Sequence, residues 1–317
     1  MIVVRTFSNS DPPKLVELWN LQPAVRGLAQ PMTVSLLEAQ VFAKPYFDPR
    51  NLLVAESEGR IVGMAHLLPK SPWPKESHHR HVGSIPLLLA TSAADSTEIE
   101  DVLIQAAESR LIAEGARQIQ LGGVNEPGPF YFGLASGSCH RGIPVTDERM
   151  TQLAERHGYA VATAWVVYEL TLRGFRPPVD RGQMAARRSL NVLREDDPPF
   201  ANFREACTFI DQHRTVYRLV QKLNGTELAH LTLVEMDAFS HLRGVRLAGI
   251  IDPQSLEPCN QDQAKFFLAE ILRQLTEEGT AVVETQIADI NAILKEVVEA
   301  LGFNPTGQVR LYAKHLG

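Results

Sequence analysis

A chain of 317 residues has room for two ordinary domains, and its 44% apolar and 21% charged residues are usual for a soluble globular protein. A net charge of −6 excludes a general nucleic-acid binder, which needs a basic excess to neutralise phosphates. No apolar run is long enough to span a membrane, and the apolar part of MIVVRTFSNSDPPK is too short for a signal peptide. Cys139, Cys207 and Cys259 lie far apart in no metal-ligand spacing, so a cytoplasmic protein without membrane partner, disulfide framework or metal is expected.

In chain order, NLLVAESEGRIVGMAHLL (51–68) reads as two strands around a turn at Glu58-Gly59. The HHRH run at 78–81 comes next. Adjacent histidines on an extended segment face opposite ways, so only His79 and His81 could share an ion, and a solvated loop is expected. GSIPLLLA (83–90) reads as a buried strand leading through the polar stretch TSAADSTEIEDVLI (91–104) into a helix. Ile99, Val102, Leu103 and Ala106 begin its apolar face, and Gly115 stops it. Thr97 and Glu100 have the spacing of a capping box, in which side chains satisfy the helix's free N–H groups. A strand (QIQLGGV, 118–124), the segment VNEPGPFYFGLASGSCHRGIPVTD, a helix ending in HGY (157–159) and a strand (TAWVVYELTL, 163–172) follow.

After the Pro- and Arg-rich segment GFRPPVDRGQMAARR (174–188), which reads as a linker with a local basic cluster at Arg181, Arg187 and Arg188, the same order returns. YRLVQKLNGTELAHLTLVEM (217–236) is a hairpin around Asn224-Gly225, and GVRLAGII (244–251) is the next strand. Ala264, Phe267, Leu268, Ile271, Leu272 and Leu275 lie on one face of a helix stopped by Gly279, with Asn260 and Gln263 spaced as a capping box. A strand (AVVETQI, 281–287), a helix ending in LGF (301–303) and a strand (VRLYAKH, 309–315) complete the second copy. The first copy carries about twenty extra residues between its fifth strand and last helix.

The order strand, helices, hairpin, strand, helix, strand, helix, strand resembles the GNAT superfamily of acyl-CoA-dependent N-acyltransferases. VVRTFSNSDPPKLVELWN (3–20) looks like that family's first strand and helix. DINAILKEVVEALGFNPTGQVRLYAKHL (289–316) looks like its last helix and strand, and RHGYAVATAWVVYELTL (156–172) is a second such ending. The resemblance implies an α/β (α+β) fold of two GNAT-like domains, 1–173 and 189–317, joined by 174–188. Each would have a mixed, mostly antiparallel central sheet flanked by helices, with splayed fourth and fifth strands. It also implies an N-acetyltransferase that moves an acetyl group from acetyl-CoA, threaded between those strands, to an amine of a small molecule or peptide.

By position in such a fold, the cofactor would meet Leu89, Ala90, Ser96, Thr97 and Asn125 in the first copy. In the second it would meet Ile250, Ile251, Asn260, Gln261, Lys265 and Asn291. The family's Arg/Gln-x-x-Gly-x-Gly/Ala phosphate loop is absent from both. Asp95 stands where Arg or Gln would be, and Glu98 and Glu100 replace the glycines, so the second copy's loop opposes a cofactor less than the first's. Val298 and Ala154 occupy the places of the family's tyrosine acid. Tyr131 is a substitute acid or else part of an aromatic packing cluster with Phe130 and Phe132, and Glu56 and Glu284 are the candidate bases. Cys139-His140 is a neighbouring pair, without the geometry of a nucleophile and its base. The missing loops and tyrosines also support a second reading, a catalytically inactive tandem pseudoenzyme that serves as a ligand-binding or regulatory module.

Overall fold

The computed structural model describes residues 1–69, 81–92, 96–124 and 128–316. Asp95, Asn125, His78 and His79 lie outside them. The first half runs β1 (Ile2–Thr6), α1 (Pro12–Asn20), α2 (Val34–Leu37) with a π-helical extension (Glu38–Phe42), β2 (Leu52–Ser57), β3 (Arg60–Leu68), β4 (Val82–Ala90), α3 (Ser96–Ala113), β5 (Gln118–Leu121), β6 (Ile143–Pro144), α4 (Glu148–Arg156) and β7 (Ala160–Thr171). The second runs α5 (Arg181–Ser189), β8 (Leu190–Asp196), α6 (Phe203–Phe209), β9 (Arg214–Gln221), β10 (Glu227–Glu235), α7 (Asp237–Arg243), β11 (Leu247–Ile250), α8 (Gln261–Glu277), β12 (Val282–Ala288), α9 (Ala292–Ala300) and β13 (Asn304–His315).

Local chemistry accounts for most of these elements. Glu58 and Gly59 both take positive φ, the conformation a tight β2–β3 turn demands. The second hairpin turns less tightly than Asn224-Gly225 suggests: only Gly225 has positive φ, and the Asn224 side chain accepts from Thr226 N–H instead. Asn260 and Gln263 form the expected capping box at the start of α8. Part of the expected linker is helix: Asp180 caps α5, which lays Gln183 and Ala186 onto α8. α3 approaches β3 closely because Gly63 has no side chain; a Cβ there would meet Leu103 and Ile99 at 2.7 and 2.9 Å.

The strands form one 13-stranded sheet in the order β1-β2-β3-β4-β5-β13-β7-β12-β11-β10-β9-β8, with β6 added on β13. Among the described residues, only the β4–β5 and β11–β12 pairs are parallel. The two closing strands are exchanged. β13, the last strand of the second half, pairs with β5 of the first, while β7 pairs with β12 of the second. β7 and β13 then pair with each other between Ala160–Glu169 and Asn304–Ala313, joining two sheets into one.

Each core therefore includes side chains from the other half. Tyr312 of β13 packs with Ile85, Leu103 and Leu153 under α3 and α4. Tyr168 and Leu170 of β7 pack with Phe267, Ile271 and Val297 under α8 and α9. On the opposite face of the first half, α1 and α2 cover Trp19, Leu37, Val54 and Leu89 together with Phe130 and Tyr131.

Candidate functional site

The first cleft follows from one extra residue. Between Leu68↔Ser84 and His66↔Leu87, β4 advances three residues while β3 advances two, a β-bulge that bends β4 away from β5. β4 pairs with β5 only over Val82–Ile85. Its remaining half, 86–90, presents an unpaired edge to the cleft, and a buried backbone edge must find partners. The chain supplies them from its own side chains. His140 Nε2 lies 2.6 Å from Pro86 O, Arg26 donates to Leu88 O at 2.8 Å, and Gln22 donates to Ala90 O at 3.1 Å.

Charge fills the same slot. Arg26, 8% exposed, also donates to Gln22 and pairs with Asp147 at 2.9 Å, while Asp147 caps α4 through Met150 N–H. Behind them Arg149 pairs with Glu100 at 2.5 Å and donates to Thr91 O at 3.1 Å. Two cations and two carboxylates thus occupy the space among β4, α3 and α4. Burial pushes the Glu100 carboxyl above its ordinary range against the pull of Arg149 and Arg26, and lowers Arg26 against Asp147. The cavity left beside Arg26, Leu88 and His140 measures about 30 Å³, far below the several hundred Å³ of a small-molecule pocket. Glu100 corrects the expected first capping box. Thr97 lies within the helical residues of α3, and Glu100, 1% exposed, turns inward to Arg149.

The second cleft lacks a splayed strand. All four residues of β11 pair with β12, and β11 ends there. Ile251 N–H continues to Thr232 O of β10, and Asp252, half-buried and with its carboxyl pushed up by desolvation, accepts from Thr232 N–H and Oγ1. A 3₁₀ turn at Pro253–Leu256 then takes the place of further strand, with Ser255 donating to His230 O on β10. Asn291 caps α9 and donates to Glu257, and Gln261 donates to Glu296.

One segment closes both clefts from the middle of the molecule. His140 reaches β4, while Arg141 donates at 3.0 Å, and Cys139 Sγ at 3.6 Å, to Ile251 O at the end of β11. Ser138 N–H donates to Glu284 Oε1 at 2.6 Å, and Gln286 donates to Ser136 O. Gly137 has φ +87°, and a Cβ there would stand 2.3 Å from Glu284 Oε1, so this residue's lack of a side chain lets the segment lie on β12. Gly249 of β11 makes room for Ser138 in the same way. Arg141 also covers the Trp165 ring of β7.

No protein-family model and no curated protein sequence matches the chain. Solved structures do. A tandem GNAT protein from the clavulanic acid biosynthesis pathway, 15% identical, superposes with a TM-score of 0.64 over 100% of this chain and 99% of its own. A GCN5-related N-acetyltransferase from Sphaerobacter thermophilus, 13% identical, gives 0.63 over 99% of this chain and 95% of its own. The chain has the tandem GNAT fold. A GCN5-related glucosamine N-acetyltransferase region in a fungal multi-domain GH3 β-N-acetylglucosaminidase gives 0.69 at 16% identity, over 99% of this chain and 38% of that one.

On that tandem GNAT fold the described residues singled out by sequence fall in four places. Leu89 and Ala90 lie on the splayed half of β4, with Ser96 and Thr97 at the start of α3. Ile250, Ile251, Asn260, Gln261, Lys265 and Asn291 surround the closed end of β11, so the open strand geometry belongs to the first copy and not the second. Tyr131 and Glu284 are both buried against the central segment. The Tyr131 hydroxyl lies 2.9 Å from His66 Nδ1, its ring stacks on Trp19, and burial alone raises its pKa. Burial likewise raises the Glu284 carboxyl. Glu56 stands apart on β2, paired with Arg5 of the edge strand at 2.9 Å. Burial lowers His66 to about 3 and His140 to about 4, so both rings are neutral at neutral pH. Sequence reasoning missed Gln22, Arg26, His140 and Arg149 as cleft residues. No local pattern marks them, because each becomes a cleft residue only through contacts made far along the chain.

Proposed function

We propose that this chain is a GNAT-fold binding module that does not transfer acyl groups. The observation that carries this reading is the occupied edge of β4. Pro86, Leu88 and Ala90 turn their carbonyls into the cleft, and His140, Arg26 and Gln22 hold all three. An acyl-CoA threaded between β4 and β5 would have to displace a buried ion pair and leave Asp147 without its partner.

The bulge and splay of β4 favour a second reading: acetyl-CoA-dependent N-acetylation in the first half, with Tyr131, Glu56 or Glu284 in proton transfer. The names of the structural neighbours point the same way. Isothermal titration of the whole protein with acetyl-CoA separates the two. Absence of heat up to millimolar ligand is expected; a dissociation constant tighter than about 100 μM, near −5.5 kcal/mol, would mean that the β4 edge admits acyl-CoA and would remove the observation on which this reading rests.

A further inference from the structure

The basic cluster at Arg181–Arg188 is absorbed by neither cleft, and folding gives it a definite place. α5 carries Arg187 over the outer face of α8, where an open groove of about 340 Å³ runs along the edge strand β8. Leu190, Val192 and Phe266 line it, with Arg187, Lys222 and Arg273 as its cations and Glu270 as its acid. Arg273 donates to Glu270 from both Nε and a terminal nitrogen, and its other terminal nitrogen pairs with Glu277. Arg187 stands 3.8 Å from Glu270 with its side chain 67% exposed, and Lys222 Nζ donates to the Arg187 carbonyl. Among the described residues, Lys222 pairs with no carboxylate. With Glu277, which also pairs with Arg273, counted beside the lining residues, three cations face two carboxylates, one surplus positive charge on a chain whose net charge is −6.

A second, mostly apolar hollow adjoins the groove. It measures about 70 Å³, shares Arg187, Phe266 and Glu270 as walls and continues past Pro177, Pro178, Val179 and Met184. Val179 and Met184 are exposed there, at 86% and 49%. A cationic groove and an apolar hollow that share walls match a molecule with the opposite polarity along its length.

We propose that this groove binds an amphipathic organic anion, with its acid head between Arg187 and Lys222 and its apolar part against Met184, Phe266 and the Pro177–Val179 strap. No residue of either cleft lines the groove, so this inference and the acetyl-CoA result can fail independently.

The test is calorimetric titration of the whole protein at physiological ionic strength with octanoate and octyl phosphate, with acetate, inorganic phosphate and octanol as head-only and tail-only controls. A dissociation constant below about 1 mM for either amphiphile is expected, with the controls at least about tenfold weaker, and the stronger of the two identifies the head as carboxylate or phosphate. Arg187→Glu and Met184→Asp, both at exposed positions and both checked for an unchanged melting temperature, should each weaken that binding at least about tenfold. Three results would each overturn the proposal: no binding at several millimolar, binding that both substitutions leave unchanged, or inorganic phosphate as tight as octyl phosphate, which would mean an adventitious ion only.

Discussion

Arg26 is the residue on which the first cleft turns. Its guanidinium joins Asp147, Gln22 and the Leu88 carbonyl in a nearly dry slot, where a lone charge is far more costly than in water. Arg26→Met removes one charge and leaves the Asp147 carboxylate buried and unpaired, so a loss of about 3–5 kcal/mol is expected by urea denaturation. Arg26→Met with Asp147→Asn should recover most of it, since asparagine still caps α4 and no charge remains uncompensated. A double variant no more stable than the single one would mean that the pair does not act as a unit. None of this is legible in LQPAVRG. An arginine after a helix is ordinarily a solvated side chain, and only the strand edge brought against it, more than sixty positions later in the chain, makes it a buried one.

At the scale of elements, the two expected capping boxes had different outcomes for one physical reason. Asn260 and Gln263 satisfy α8 from within four residues, so local sequence decides the matter. Glu100 has a distant rival for its carboxylate, Arg149 on α4, and a carboxylate held among buried side chains turns to that cation instead of to the helix end. The segment from Ser136 to Arg141 is likewise set by contacts made far along the chain. Gly137→Ala should cost at least about 2 kcal/mol, because the new Cβ meets the Glu284 carboxylate as well as an unfavourable φ. Gly133→Ala is the control: its φ is +63° but nothing lies within 4 Å, so backbone strain acts alone, at about 1 kcal/mol. Equal losses in urea denaturation would mean that the segment is not held tightly on β12.

For the whole molecule, strand exchange makes the halves interdependent. The piece 1–173 would keep β7 without its partner β12 and would lack β13 beside β5; the piece 174–317 would lack β7. Each would expose sheet edges and lose a buried tyrosine from its core, Tyr312 or Tyr168. Expressed alone, both pieces should be insoluble or unfolded by circular dichroism, whereas co-expression should return a soluble 1:1 complex that melts in one transition. Two pieces that fold separately as monomers would show that the exchange contributes little. The intact chain should unfold in a single denaturant transition, despite a length at which independent domains are common.

The sequence by itself determined the repeat, the order of the repeated strands and helices, the tight turn at Glu58-Gly59, the stop glycines and the helix cap at Asn260. Each depends on periodicity or on residues within one turn of one another, and such short-range chemistry is readable without a fold. Only the tertiary structure decided which sheet each closing strand joins. β7 and β13 are equivalent strands of the repeat, and either can satisfy either sheet's hydrogen bonds, so the choice lies in long-range packing. It also decided that the open strand geometry lies in the first half, that β11 stops where β4 continues, and that Arg26, Gln22 and His140 fill the edge exposed by the bulge. Burial made those three side chains part of a site, and burial is a property of the folded chain.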